Sequence, residues 1–235
     1  MNTKFLSALT ATAAATAMFG AAAPAHAFSF GTGAIQFEKN TKVTFEFKQS
    51  YGAYTSSLGV YGVDGGKASF LETLFSEVKS SDIGSAGNWK GTAGNTVLNG
   101  IATYTFMANQ IYTLGLSSVG LDGSNKGTVY STTALNGGEQ QAVFGNPNTL
   151  LPLVIDPPDR TTFAENPANF SSGGSVLNGG AAISFDDRGN DNDADFQDFT
   201  VTAEAVPEPM TMTGLALGLG GLVAARRRRG SKTAS

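Results

Sequence analysis

The chain has 235 residues, of which 41% are hydrophobic and 14% are charged, and its formal net charge is −4. This composition excludes a fully disordered polar chain and a membrane protein with many spans. The chain has no cysteine, which excludes disulfides, thiol nucleophiles and cysteine-ligated metal centres.

Residues 1–27 have the pattern of a secretory signal peptide. Lys4 supplies the positive start, an alanine-rich apolar stretch follows, and Ala25 and Ala27 form a small-x-small cleavage site. The alternative is a buried N-terminal helix, which so many small side chains would stabilise poorly. Cleavage after Ala27 would remove His26, the chain's one histidine, so the mature chain would have no histidine triad, zinc site or haem ligand.

The C-terminal segment has three consecutive parts: a Pro-Glu-Pro motif, the uncharged residues 210–225, and four arginines. An uncharged stretch of this length is shorter than the roughly 20 residues that span a bilayer, so we expect a short or transient membrane segment. The positive-inside rule would place the arginines in the cytoplasm and residues 28–206 outside. The alternative is a soluble basic tail that binds nucleic acid. The motif residues are Pro207, Glu208, Pro209, Arg226, Arg227, Arg228 and Arg229.

Taken together, residues 206–229 resemble the PEP-CTERM sorting signal of Gram-negative bacteria. The resemblance implies export through the Sec translocon, processing by signal peptidase, transient tethering to the inner membrane, and recognition and cleavage by an exosortase. Proteins with this signal reach the cell surface or the extracellular matrix and are often linked to exopolysaccharide and biofilms. The expected organisation is a signal peptide (1–27), an extracytoplasmic domain (28–206), the sorting signal (207–229) and a tail (230–235).

The expected domain, residues 28–206, is acidic. It holds 18 of the chain's 19 acidic residues and nine of its 15 basic residues, so its net charge is near −9. This charge argues against nucleic acid as a partner and favours cations or a solubilising role outside the cell.

Strand patterns predominate in this domain and predict an all-β fold, an antiparallel, jelly-roll-like β-sandwich with one short helix packed on it. Residues 41–49 alternate apolar and polar side chains, which is typical of a half-buried strand. Residues 101–108 and 111–118 flank a short polar turn and predict a β-hairpin. Between residues 67 and 80, apolar residues recur at helical spacing and predict the helix. Shorter strands are predicted at 127–131, 141–144, 150–155, 181–185 and 199–203.

Six aspartates and one arginine lie between residues 186 and 198. Crowded carboxylates repel one another unless a cation neutralises them, and a shell of oxygen ligands suits Ca²⁺. The spacing does not fit an EF-hand, because the required glycine and the final glutamate are missing. A solvated acidic turn is the alternative, and spacing alone does not decide between the two. The predicted ligands are Asp187, Asp191, Asp193, Asp195 and Asp198, with Phe185, Phe196 and Phe199 as anchors to the core.

The same acidic run resembles the end of a domain of unknown function in exported bacterial proteins, whose signature is roughly FEDxxxGGDxDxND. That domain often precedes a PEP-CTERM tail, and residues 129–136 resemble its upstream segment, so the resemblance covers about residues 101–203. Asp186 replaces the glutamate, one glycine is absent, and Gln197 stands where asparagine is usual. The resemblance implies a calcium-dependent surface role and brings no known reaction.

Three functions are compatible with these patterns. The first is a non-enzymatic surface or matrix protein with a Ca²⁺-binding acidic loop. The second is a carbohydrate-binding module that stacks aromatic rings on sugars, with the segment from Tyr51 to Tyr54 as the best cluster. The third is a glycan hydrolase that uses two carboxyl groups without histidine, with Asp186 and Asp195 among the candidates. The aromatic candidates for sugar stacking are Trp89, Tyr51, Tyr54, Tyr61, Tyr104, Tyr112 and Tyr130.

Overall fold

The structure is a computed structural model, and it describes residues 28–52, 54–80, 82, 90–149, 173–187 and 196–207. The predicted signal peptide, the strand predicted at 150–155, Trp89 and the chain from Glu208 onward lie outside the described residues. Within the described ranges, no helix is long and apolar enough to cross a membrane.

The described residues form two antiparallel sheets packed together, which confirms the predicted β-sandwich. Two short 3₁₀ helices, Thr133–Asn136 and Pro147–Thr149, accompany the strands. In chain order the strands are β1 (Ser29–Phe30), β2 (Ile35–Gln36), β3 (Thr41–Tyr51), β4 (Thr55–Asp64), β5 (Lys67–Ser76), β6 (Lys90–Gly91), β7 (Ile101–Phe106), β8 (Ile111–Val119), β9 (Asn125–Tyr130), β10 (Ala142–Gly145), β11 (Ala181–Phe185) and β12 (Phe199–Ala205).

Each sheet is organised around one long strand. The first sheet has the order β1-β2-β8-β4-β5, and β9 pairs with the C-terminal half of β8. The second sheet has the order β10-β11-β12-β3, and the other edge of β3 pairs with β7 and then with β6. The strands expected at 127–131, 141–144, 181–185 and 199–203 correspond to β9, β10, β11 and β12, so those predictions are confirmed.

The core lies between the sheets and is rich in aromatic rings. The alternation predicted for residues 41–49 is confirmed as far as residue 47, because Val43, Phe45 and Phe47 of β3 are at most 2% exposed. The ring of Phe47 lies 6.1 Å, centroid to centroid, from that of Phe75 in the opposite sheet. Each fully buried side chain of this kind contributes about 1.5–3 kcal/mol to folding, so these contacts hold the two sheets together.

The helix predicted at residues 67–80 is wrong, because Lys67–Ser76 forms the edge strand β5, paired with β4. The apolar residues at helical spacing do not share one face. Phe70 and Leu71 are 57% and 48% exposed, whereas Leu74 and Phe75 are buried. Two register shifts in the β4–β5 pair interrupt the simple alternation of a strand, and the interrupted pattern imitates a helical period.

The connection between β4 and β5 is a two-residue hairpin turn. Asp64 pairs with Lys67, and Gly65 and Gly66 between them have φ of 53° and 75°. Type I′ turns require positive φ at both central positions, and two glycines adopt it at no steric cost.

The predicted hairpin of residues 101–118 is correct in its strands and wrong in its pairing. β7 pairs with β3 in the second sheet, whereas β8 pairs with β4 in the first. The connection crosses from one sheet to the other at Asn109, which has φ of 60° and donates its backbone N–H to the carbonyl oxygen of Phe37 at 2.7 Å. Alternation identifies a strand, but it does not identify the partner of that strand.

Candidate metal centre

The hairpin formed by β11 and β12 brings the two ends of the acidic segment together. Phe185, the last residue of β11, lies directly opposite Phe199, the first residue of β12. Both side chains are fully buried, and Phe196 is 7% exposed. The three predicted anchors are therefore buried, as expected, and the aspartates beside them emerge at one end of the sandwich.

Three carboxylates meet at this end: Asp186, Asp187 and Asp198, which we call the acidic triad. Each offers one carboxylate oxygen, and these oxygens all lie within 4.8 Å of one another. Asp186 and Asp187 are buried, and Asp198 is partly exposed. Like charges this close, and largely removed from water, are unfavourable unless a cation or a proton offsets them.

Backbone hydrogen bonds fix the positions of the triad. The N–H of Asp198 donates to the carbonyl oxygen of Phe185 at 3.0 Å, and the N–H of Asp186 donates to that of Gln141 at 3.1 Å. The N–H of Asp187 donates to Oδ2 of Asp198 at 2.8 Å. The triad is therefore held by the hairpin itself and by the residue preceding β10.

The end of β3 forms one wall of this site. The N–H of Tyr51 donates to the carbonyl oxygen of Asp198 at 3.1 Å. The next residue, Gly52, has φ of +123°, and a Cβ atom there would lie 3.2 Å from Oδ1 of Asp198. A glycine at this position leaves room for the carboxylate and adopts a backbone conformation that other residues rarely accept.

Phe196, at the C-terminal end of the acidic segment, has a strained backbone conformation. Phe196 has φ of 51°, in the left-handed region, which costs a residue with a Cβ about 1–2 kcal/mol. Its side chain forms a small buried cluster with Val143 and Ala182. Burial of the ring offsets the cost and fixes where the segment returns to β12.

A buried glutamate links both sheets near the triad. Glu77 follows β5, and its carboxylate accepts hydrogen bonds from the hydroxyl of Ser50 in β3 and from the N–H of Ser56 in β4, the latter at 2.7 Å. Burial raises the pKa of Glu77 to about 8; the two hydrogen bonds oppose this rise, and the charges of Asp187 and Asp82 add to it. Glu77 is therefore mainly protonated at neutral pH.

A buried lysine brings positive charge to the same end of β3. Lys90 of β6 pairs with Tyr51, is 3% exposed, and has its Nζ 5.5 Å from the centroid of the Tyr51 ring. An ammonium in this position gains cation–π stabilisation. Because the N–H of Tyr51 donates to the carbonyl oxygen of Asp198, Lys90 lies at the same end of β3 as the triad.

Of the five predicted ligands, the structure brings Asp187 and Asp198 together, while Asp191, Asp193 and Asp195 lie outside the described residues. Asp186 is a member of the triad that the sequence prediction missed. The sequence did contain a signal for Asp186. If residues 181–185 and 199–203 pair as a hairpin, the residue that follows the first strand lies opposite the residue that precedes the second, which is Asp198. Glu77 was missed because its segment was predicted to be a helix.

The tyrosines proposed for sugar stacking are divided among different environments. Tyr112 is buried in the core. The rings of Tyr51 and Tyr54 each lie beneath a lysine ammonium, that of Lys126 being 5.3 Å from the Tyr54 centroid. Tyr61 and Tyr130 contact each other on the first sheet. The rings of Tyr51 and Tyr54 therefore each have a lysine ammonium, rather than a sugar, stacked on one of their faces.

An open groove of about 550 Å³ lies beside β1, lined by residues 28–31, 33–34 and 173–175. None of these lining residues is ionisable. The groove therefore offers neither an acid nor a base, and the acidic triad remains the better candidate for chemistry.

The predicted sorting motif follows β12 in the chain. Val206 follows β12 and donates its N–H to the carbonyl oxygen of Lys42 at 2.8 Å. Pro207 is exposed, and Glu208, Pro209, Arg226, Arg227, Arg228 and Arg229 lie outside the described residues, as do Ala25 and Ala27.

A scan against protein-family models found no match to this chain, and searches of curated proteins and of solved structures found none either. The two resemblances described above therefore stay predictions, and functional inference rests on the residues themselves.

Proposed function

We propose that the chain is an exported, non-enzymatic surface or matrix protein whose acidic segment binds Ca²⁺. The observation that carries the proposal is the convergence of Asp186, Asp187 and Asp198, whose carboxylate oxygens lie within 4.8 Å of one another. These residues bracket the segment that carries Asp191, Asp193 and Asp195. Residues 186–198 thus combine three carboxylates that lie close together with three further aspartates that could act as oxygen ligands.

The chemistry of the donors favours a hard cation such as calcium over zinc or copper. Ca²⁺ accepts six to eight oxygen ligands in a flexible arrangement, whereas Zn²⁺ and copper favour nitrogen or sulfur ligands. The site offers carboxylate oxygens. Binding would neutralise the triad, which is the role expected of a structural cation outside the cell.

The geometry is less favourable to a hydrolase. Retaining and inverting glycosidases hold their two carboxyl groups about 5–5.5 Å and 6.5–9.5 Å apart, with the sugar between them. The triad oxygens lie within 4.8 Å of one another, and two of the three aspartates are buried. This arrangement suits one shared cation better than a substrate flanked by two carboxyls.

Export and sorting are proposed from the two ends of the chain. The supporting features are the cleavage site at Ala25 and Ala27 and the tail from Pro207 to the arginine cluster. Intact-mass measurement of the protein recovered from a host with an exosortase tests this directly. We expect a product that begins at Phe28 and lacks residues after the Pro-Glu-Pro motif. A product that keeps both ends would contradict the proposal.

The calcium site is tested by thermal unfolding of the purified full-length protein with Ca²⁺ and with chelator. A ligand that binds only the folded state adds about 2.7 kcal/mol at 100 times its dissociation constant, which corresponds to roughly 5–10 °C for a domain of this size. Asp198→Asn should abolish the shift. Glu204→Gln, an exposed carboxylate on β12, is the matched control and should retain it. Equal midpoints with and without Ca²⁺ in the unmodified protein would contradict the proposal.

A counter-charge from the chain itself is the main competing explanation. If Lys90 neutralises the triad, the unmodified protein should show no Ca²⁺-dependent shift, and Lys90→Met should lower stability in chelator. If a metal ion neutralises the triad, the Ca²⁺-dependent shift should persist in Lys90→Met. The two results separate an internal ion pair from a metal site.

A further inference from the structure

Three aromatic rings form a row on the outer face of the first sheet, on the side turned away from the core. They are Phe70 of β5, Tyr61 of β4 and Tyr130 of β9. The Tyr61 centroid lies 5.5 Å from that of Phe70 and 5.4 Å from that of Tyr130, both in edge-to-face geometry. Phe70 is 57% exposed, and both tyrosines are partly exposed, so solvent reaches the whole row.

A glycine in the intervening strand allows the row to form. Tyr61 and Tyr130 belong to strands separated by β8, where Tyr61 pairs with Thr113 and Tyr130 pairs with Gly115. A Cβ atom on Gly115 would lie 2.5 Å from Cε2 of Tyr61. The Tyr61 ring therefore lies over Gly115, in the space that the side chain of any larger residue would fill.

A row of hydroxyl groups crosses the same four strands beside the rings. Ser57 pairs with Ser76 on one side and with Ser117 on the other, and Ser117 pairs with Thr128. Their oxygens are close: Ser57 to Ser76 is 3.0 Å, and Ser117 to Thr128 is 2.7 Å. The phenol of Tyr61 lies 3.3 Å from Oγ of Ser117 and connects the hydroxyls to the rings.

We infer that this face, which we call the aromatic platform (Phe70, Tyr61, Tyr130 and the hydroxyl row), binds a neutral polysaccharide. Sugar rings present apolar C–H faces that stack on aromatic rings and hydroxyls that exchange hydrogen bonds with serine and threonine. Neither row contains a charged residue, so the platform offers nothing to select an anionic chain. Bonds within the row leave further donor and acceptor capacity on these hydroxyls, and a hydrophobic protein partner would leave that capacity unmet, which is costly.

This inference goes beyond the proposed calcium site and does not depend on it, because the platform shares no residue with the acidic triad. Removal of Ca²⁺ should leave polysaccharide binding within twofold of its original strength. Failure of one proposal is therefore distinguishable from failure of the other.

The test is affinity electrophoresis of the full-length protein in native gels cast with one soluble polysaccharide each: laminarin, xyloglucan, galactomannan or the anionic alginate. We expect retardation by at least one neutral polymer and none by alginate. Phe70→Ala and Tyr61→Ala should each weaken that retardation at least tenfold. Gly115→Ala should do the same without removing any ring, because the added methyl group displaces Tyr61.

Leu121→Ala is the control, since Leu121 is 65% exposed in the turn between β8 and β9, and it should bind like the unmodified protein. Absence of retardation by all three neutral polymers would overturn the inference. Retardation that survives Phe70→Ala and Gly115→Ala would also overturn it, because the binding site would then lie elsewhere. Phe70 is largely exposed, so Phe70→Ala reports on binding even where the Tyr61 variant folds poorly.

Discussion

The backbone N–H of Asp187 donates a hydrogen bond of 2.8 Å to Oδ2 of Asp198. This bond joins the two ends of the acidic segment at its base and orients one oxygen of the Asp198 carboxylate. The other oxygen, Oδ1, faces Gly52 at the end of β3. The arrangement therefore fixes a carboxylate in place before any ligand binds, which reduces the ordering cost of binding.

Gly52→Ala should weaken the site through Asp198. The backbone φ of +123° is strained for alanine, and the new Cβ would lie 3.2 Å from Oδ1 of Asp198. We expect a loss of stability of about 1–3 kcal/mol and a smaller Ca²⁺-dependent shift in unfolding temperature. Gly123→Ala is the control, because Gly123 has φ of +76° and no atom within 4 Å of a Cβ. A calcium shift reduced equally in both variants would contradict this account.

Stability should fall with rising pH because of Glu77. Its pKa is about 8 in the folded protein against an ordinary value of 4.5. Between those values the folded chain keeps a proton that the unfolded chain has lost. The contribution is therefore complete below pH 4.5 and is lost as pH rises through 8, with a slope of at most about 1.4 kcal/mol per pH unit.

Denaturant unfolding in chelator between pH 5 and 8.5 measures that slope. Glu77→Gln should flatten it, since the amide is always neutral, can accept from the N–H of Ser56, and can donate to the hydroxyl of Ser50. Glu204→Gln, an exposed change on β12, should leave the slope unaltered. The same slope in Glu77→Gln and in the unmodified protein would show that another group is responsible.

The turn between β4 and β5 should discriminate among substitutions at Gly65. Its φ is +53°, and no atom lies within 4 Å of a Cβ there, so only backbone strain opposes a side chain. Asparagine tolerates this region, whereas a β-branched residue does not. Gly65→Asn should change the free energy of unfolding little, and Gly65→Val should lower it by about 1–2 kcal/mol, as chemical denaturation would show. Equal effects of the two substitutions would argue against the type I′ turn.

Strands were predicted well from the sequence where one face is buried and the other is exposed to solvent. In β3, Val43, Phe45 and Phe47 all point to the core, and the period of two is unbroken from residue 41 to residue 47. In β5, bulges in the pairing with β4 break that period, and Phe70 packs on the outer face against Tyr61. The apolar residues of β5 are therefore divided between the core face and the outer face of the sheet, and no single periodicity describes their positions.

Pairing could not be predicted in the same way. Neighbouring strands in sequence usually pair, but β7 and β8 enter different sheets because their partners, β3 and β4, lie more than 40 residues earlier in the chain. The same limit applies to the site. Composition located the acidic segment, whereas Asp186 and Glu77 become recognisable only when the hairpin and the two sheets bring distant residues together.

Isothermal titration calorimetry of the full-length protein with Ca²⁺ tests the central claim most directly. We predict saturable binding to the unmodified protein, and loss of at least tenfold in affinity for Asp186→Asn and for Asp198→Asn, with Glu204→Gln unchanged. Absence of binding heat across millimolar Ca²⁺ at two temperatures, or the same affinity in the triad variants and the control, would contradict it and leave the acidic triad to an internal counter-charge.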